Sequence, residues 1–173
     1  MNINHLLKNI DHNAIHGATD REVSNLTYDS RQVVSGSCFF AIEGVVSDGH
    51  NYIESAVAKG ATAVVCRRLP QSLNTEQTTY IVVDDTDKAM ALMAANFYGN
   101  PSKKLTVVGV TGTNGKTTIA TLLYDLVQSL GYKAGLISTV VYRIDTREVA
   151  STHTTPDAIR LNAMLREMVD CGC

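Results

Sequence analysis

The chain has 173 residues, 15 lysines and arginines against 17 aspartates and glutamates, a formal net charge of -2 and a hydrophobic fraction of 45%. At roughly 150 residues per domain, that length holds one domain or two small ones, and the composition excludes a wholly disordered chain, a collagen-like repeat and a coiled coil. No apolar run approaches the roughly 18 residues of a membrane span, and the near-neutral charge gives no reason to expect nucleic acid or an anionic membrane as a partner.

Met1-Asn2-Ile3-Asn4-His5 lacks the basic-then-apolar order of a signal peptide, so export is not expected. Ile3, Leu6, Leu7 and Ile10 share one helical face, which predicts a short amphipathic helix over 3–10. His12 and His16 have i, i+4 spacing, but Asn13, Ala14 and Gly17 beside them predict a loop. Strands are expected around 26–28 and 38–42, separated by the turn formers Asp29, Ser30, Gly36 and Ser37. The loop 43–50 carries Gly44 and Asp48-Gly49 and leads into a helix that stops at Gly60. Residues 61–66 read as a buried strand and 80–83 as another. Asp85 or Thr86 can cap a helix running to Tyr98, with Gly99 as its stop. Asp84, Asp85 and Asp87 read as a solvated strand end and a complement to that helix N-terminus, in preference to a cation site.

Asn100-Pro101-Ser102-Lys103-Lys104 combines a proline with two solvated charges, and the domain boundary is placed there, giving units 1–100 and 105–173. The pattern then restarts: a strand over 105–110, a glycine-rich turn, a helix from about Lys116 to Leu130, and a strand over 134–137. Residues 140–144 and 148–151 suggest a hairpin. Thr155 is expected to cap the last helix, with Pro156 at its first position and Asp157 in its first turn. Strands alternating with helices in both halves imply an α/β architecture with largely parallel sheets. A parallel sheet of two or three strands is poorly covered, so the second unit reads as part of a larger domain and the chain as an N-terminal fragment. Cys38 and Cys66 lie in apolar runs and read as core. Cys171-Gly172-Cys173 is too tight for a zinc ligand pair and has no second pair to complete it.

The strongest chemical signal is Gly109-Val110-Thr111-Gly112-Thr113-Asn114-Gly115-Lys116-Thr117-Thr118, set between a β-branched run and a helical pattern. This is the strand–turn–helix setting of a phosphate-binding loop. Glycines let successive backbone N–H groups face one concavity, and the helix N-terminus adds partial positive charge. Lys116 is placed to reach the β- and γ-phosphates, and the Thr117 hydroxyl to ligate Mg²⁺. The general pattern G-x-x-x-x-G-K-[ST] requires a first glycine at position 110, where the chain has Val110.

Gly112-Thr113-Asn114-Gly115-Lys116-Thr117-Thr118 resembles the shortened ATP loop of the Mur ligases and the related folylpolyglutamate synthetases, which accounts for Val110. Upstream, Tyr28-Asp29-Ser30-Arg31, Gly36-Ser37-Cys38-Phe39-Phe40-Ala41, Gly44 and Asp48-Gly49-His50 resemble the first domain of the MurE and MurF types. Thr154-Thr155-Pro156-Asp157 is similar to MurE rather than MurF.

The resemblance implies a cytoplasmic, monomeric ligase of peptidoglycan precursor synthesis. Such an enzyme uses ATP and Mg²⁺ to add an amino acid, meso-diaminopimelate or L-lysine, to UDP-N-acetylmuramoyl-L-alanyl-D-glutamate through an acyl phosphate. It implies a small α/β UDP-binding domain followed by the start of a mostly parallel P-loop domain, with the fragment alone inactive. Residue by residue, Gly112 to Thr118 would hold ATP, with Lys116 catalytic and Thr117 on the metal. Tyr28, Ser30, Val45, Val46 and Ser47 would meet the uridine diphosphate end, and Thr154 and Thr155 the muramoyl-peptide end. Taken alone, Asp29-Ser30-Arg31 also reads as a strand-end turn and Thr155 as a helix cap. Two other classes share the loop. A small P-loop kinase or GTPase-like switch needs a second Mg²⁺-associated carboxylate, for which Asp145 is a poor candidate. A non-catalytic nucleotide-binding module would instead use residues 1–100 for a partner protein.

Overall fold

The computed structural model describes residues 1–45, 47–149 and 156–173. They form two compact units, Met1–Phe97 and Tyr98–Cys173.

The first unit opens with helix α1 (Ile3–Leu6), whose Asn2 side chain accepts the His5 N–H as an N-cap. The apolar face predicted over 3–10 is buried throughout, but the helix stops at Leu6 because Asn9 turns the chain at φ 60°. Four parallel strands follow: β2 (Asn25–Thr27), β3 (Ser37–Phe40), β4 (Ala63–Cys66) and β5 (Thr79–Val82). The fifth, β1 (Ala14–His16), pairs antiparallel with β5 and completes the order β1-β5-β4-β3-β2. Sequence reasoning placed a loop over β1. Its three residues are all half-buried, so no alternation marks them, and they are held as a strand by the ladder to Tyr80, Ile81 and Val82.

Every residue of β3 and β4 is buried, as expected of interior strands in a sheet covered on both faces. On one face Phe39, Ala41, Val64, Cys66 and Tyr80 pack with Ile53 and Ala56 of helix α2 (Ile53–Ala58). The alternate residues point to the other face, where helix α3 (Thr86–Phe97) packs on α1 and β4. Asp85 caps α3 by accepting the Lys88 N–H at 2.9 Å. With about 1.5–3 kcal/mol for each large apolar side chain buried, this double-sided core fixes where the strand ends emerge.

The second unit contains helix α4 (Lys116–Ser129), strands β6 (Gly135–Ile137), β7 (Tyr142–Ile144) and β8 (Arg147–Val149), and helix α5 (Ala158–Cys171). The expected hairpin is β7–β8, turned by Asp145 at φ 51°. Pairings among the described strands here are all antiparallel, in the order β6-β7-β8; among the described residues the parallel ladders lie in the first unit. The expected strand over 105–110 is not formed. Its β-branched run has the propensity, but a strand exists only by pairing, and no described strand lies alongside it; Val107 and Val108 are 65% and 70% exposed. The cap of α5 is Asp157, not Thr155, for the Asp157 carboxylate accepts the Arg160 N–H at 2.9 Å. A core of Tyr142, Ile144, Met164 and Met168 joins α5 to the hairpin.

Candidate functional site

Two sets of the residues singled out from the sequence emerge at well-defined places, one in each unit. In the first unit, Tyr28 and Ser30 follow the carboxyl end of β2, while Val45 and Ser47 lie in the loop after β3. Because β2 and β3 are paired in parallel, from Asn25↔Ser37 to Thr27↔Phe39, both segments leave the sheet at the same edge. The carboxyl edge is where open α/β sheets bind ligands.

The turn after β2 is built locally. Asp29 accepts the Arg31 N–H at 2.9 Å, and its two carboxylate oxygens are held by the Arg31 guanidinium at 2.8 and 2.9 Å. That pairing, with the Arg31 hydrogen bond foremost, holds the Asp29 carboxyl below its ordinary pKa of 3.8. The Ser30 carbonyl accepts the Lys59 ammonium at 2.8 Å, so the turn is tied to the end of α2. Tyr28 is 46% exposed and Val45 fully so. Val46, Thr154 and Thr155 lie outside the described residues. Along the same edge, Glu43, Arg67, Asp84, Asp85, Thr86 and Asp87 line a polar cleft of about 360 Å³. Asp84 accepts Asn13 at 2.7 Å there and Asp85 caps α3, the roles expected of a solvated strand end.

In the second unit the glycine-rich turn runs directly into α4. Gly115 is the N-cap of the helix at φ 77°, a left-handed conformation that glycine adopts without strain, and no side chain caps the helix. The first N–H returned inside α4 is that of Ile119, which donates to the Gly115 carbonyl at 2.9 Å. The preceding N–H groups of the first turn are therefore those a helix leaves for an external acceptor. Residues 111–116 are exposed and Thr117 is half-buried. Lys116 folds back over the turn, its ammonium 2.5 Å from the Gly112 carbonyl and 3.2 Å from that of Thr113. One cation and the first-turn N–H groups of a helix thus share a solvent-open turn, a combination that suits a polyphosphate.

Comparison with known proteins gives the same division. Residues 22–98 match the Mur ligase family, catalytic domain, and residues 110–173 match the Mur ligase middle domain. This chain belongs to the Mur ligase family. Among curated relatives it is 51% identical, over all 173 residues, to the UDP-N-acetylmuramoyl-L-alanyl-D-glutamate–2,6-diaminopimelate ligase of Cytophaga hutchinsonii, and 52% identical to the ligase of that name from Bacteroides fragilis. It spans 36% of the length of each. A solved structure of a ligase of this name matches the whole chain and 34% of its own at a TM-score of 0.74 and 24% identity. MurF from Acinetobacter baumannii matches 96% of the chain and 32% of its own at 0.61 and 23%. These two likenesses establish the Mur ligase fold.

Sequence reasoning missed the charged residues that buttress the loop after β3. Glu43, Asp48, His50, Arg67 and Arg68 come together across two strand ends. Asp48 and His50 are visible as a short motif, but nothing in a linear reading pairs them with arginines about 20 positions away.

Proposed function

We propose that this chain is the substrate- and ATP-binding part of a ligase that joins 2,6-diaminopimelate to UDP-N-acetylmuramoyl-L-alanyl-D-glutamate. The observation that carries the reading is identity of about half over all 173 residues to two ligases of that name. Support comes from the Lys116 turn standing at the start of α4.

In this reading residues 1–100 hold the UDP end of the substrate, through Tyr28, Ser30 and the loop carrying Val45, Val46 and Ser47. Residues 105–173 begin the ATP domain, and Thr154 and Thr155 meet the muramoyl peptide. Gly112 to Thr118 cradle the phosphates with backbone N–H groups, and the Lys116 ammonium leaves the turn carbonyls for the β- and γ-phosphates. The Thr117 hydroxyl is the residue that would hold Mg²⁺, whose charge, when bound, offsets that of the triphosphate. Carboxylate and triphosphate repel each other, so the protein's task is to neutralise charge and hold the reacting atoms in line. An oxygen of the glutamate carboxylate bonds to the γ-phosphorus as the bond to ADP breaks. The diaminopimelate amine then bonds to the acyl carbon, phosphate departs, and the amine proton passes to solvent. In this reading the setting is cytoplasmic and the protein a monomer, as the family resemblance implies. Among the described residues no helix is long and apolar enough to cross a membrane.

The test uses the product of the complete gene. With ATP, Mg²⁺ and the UDP-muramoyl dipeptide, phosphate release should require meso-diaminopimelate, and L-lysine should substitute poorly. Release that is indifferent to the amino acid would overturn the reading.

A further inference from the structure

The loop after β3 is closed at its base twice over. Through the backbone, Glu43 and Asp48 face each other as an antiparallel bridge. Gly44 N–H donates to the Ser47 carbonyl at 3.0 Å, and Gly49 N–H to the Ile42 carbonyl at 2.7 Å. Gly49 has no room for a side chain, because a Cβ there would stand 2.6 Å from the Ile42 nitrogen and 2.8 Å from its oxygen.

Through side chains, Arg68 reaches both ends of the loop. Its Nη1 lies 3.0 Å from Glu43 Oε1, and its Nη2 pairs with Asp48 Oδ2. Arg67 Nη1 takes the other oxygen of Glu43 at 2.8 Å. His50, with its side chain 7% exposed, accepts the Arg67 backbone N–H on Nε2 at 3.0 Å. A backbone N–H can only donate, so the ring proton sits on Nδ1 and is donated to Asp48 Oδ1 at 2.7 Å. Glu43, Asp48 and His50 bring ligand-type atoms within 4.8 Å of one another, which is close enough for a cation. Both His50 nitrogens are already engaged, however, and both carboxylates face guanidinium groups. The positive charge such a cluster needs is supplied by Arg67 and Arg68.

We propose that Arg68, together with Asp48 and His50, is a positioning clamp that holds Glu43–Gly44 and Ser47–Asp48 in place before the uridine diphosphate end of the substrate arrives. The inference rests on the assignment of the loop after β3 to the UDP end of the substrate. Exposed ion pairs add little to stability, and Arg68 is 61% exposed, so global folding does not account for the arrangement. A flexible loop must lose conformational freedom when it binds, and holding both its ends in advance removes part of that cost. The planar fork of arginine can span two carboxylates at once, whereas the point charge of lysine holds one well.

The experiment measures UDP binding by titration calorimetry, and KM values for both nucleotides, on the complete gene product and its Arg68→Ala, Arg68→Lys, Asp48→Asn and Ser30→Ala variants. Arg68→Ala should weaken UDP about tenfold and raise KM for the UDP-linked substrate similarly, with KM for ATP and the melting temperature held. Arg68→Lys should recover only part of the loss. Asp48→Asn should weaken UDP by itself and add little on top of Arg68→Ala, because both cut one clamp. If Ser30→Ala loses UDP while Arg68→Ala binds it normally, the clamp is wrong and the UDP assignment stands. If neither variant loses UDP, clamp and assignment fall together. If Arg68→Ala alone loses it, the clamp stands and Ser30 leaves the site. An Arg68→Ala loss that extends equally to ATP or to melting temperature would reduce the clamp to general structural support and overturn it.

Discussion

The two units solve the same problem of covering apolar surface to very different degrees. In Met1–Phe97 the interior strands are wholly buried, and helices lie on both faces of the sheet. In Tyr98–Cys173, helix α4 buries Tyr124 and leaves Ile119, Leu122, Leu126 and Leu130 between 50% and 64% exposed. The apolar stripe of α4 and the run around Val107 and Val108 have the chemistry of a core and, among the described residues, nothing packed over them. The contrast bears on the sites. The carboxyl edge of the first sheet is fixed by three parallel ladders and a double-sided core, whereas the glycine-rich turn is positioned by the first turn of one helix.

The largest expected effect tests how much of the second site rests on a single side chain. Lys116→Ala should lower turnover of the complete gene product on the order of a thousandfold. Lys116→Arg should also be poor, because its fork is bulkier and differently hydrated. Amino-acid-dependent phosphate release near the parent rate would remove the turn from the active site. Next in size is a pair of truncations in the 173-residue chain, followed by urea unfolding. Phe39→Ala, at a position with no exposure, should cost about 3–5 kcal/mol. Leu122→Ala, at 62% exposure, should stay within about 0.5 kcal/mol. Equal costs would mean that α4 is covered in solution and the contrast is false.

Thiol chemistry sharpens the comparison without mutation. Cys38 and Cys66 are buried in the first unit, and desolvation pushes the Cys66 thiol up to about 11 and Cys38 higher still. Cys171 and Cys173 are only half-buried. A thiol reagent at neutral pH should therefore modify the C-terminal pair first, and reach the other two only in denaturant. Smallest is an acid effect. Hydrogen bonds from Arg31 hold Asp29 below 3.8, and those from His50 hold Asp48 below it. A carboxyl with a depressed folded pKa gives stability that is full above its unfolded value and fades as pH falls through the folded one. These two contributions should thus be constant from pH 7 to about 5 and be lost only below about pH 4, with a shallower acid limb in Asp29→Asn.

Long elements with their own punctuation were legible from the sequence: α3 between Asp85 and Gly99, α4 between Gly115 and Gly131, and the buried strands β3 and β4. What was not legible depended on partners distant in sequence. Residues 105–110 have strand chemistry and no ladder, while Ala14–His16 have little strand chemistry and acquire one from β5. At α5 two residues could cap, and the carboxylate of Asp157 holds the position that the threonine hydroxyl was expected to take. The glycine-rich turn before α4 was readable because its residues are consecutive. The Arg68 contacts were not, because Glu43, Asp48 and Arg68 meet only once β3 and β4 lie side by side.

The strand order of the first unit has a consequence for self-association. A sheet edge presents unpaired N–H and carbonyl groups on which another copy can template, and the danger grows with the length and flatness of that edge. Here the outermost strands are β1 and β2, of three residues each, and the strongly apolar four-residue strands β3 and β4 are enclosed between them. The apolar, β-prone segments Cys38-Phe39-Phe40 and Ala63-Val64-Val65-Cys66 are therefore wholly buried while the sheet is intact. Aggregation of this unit has to begin by stripping off an edge strand, so the two shortest strands act as guards for the two most dangerous ones.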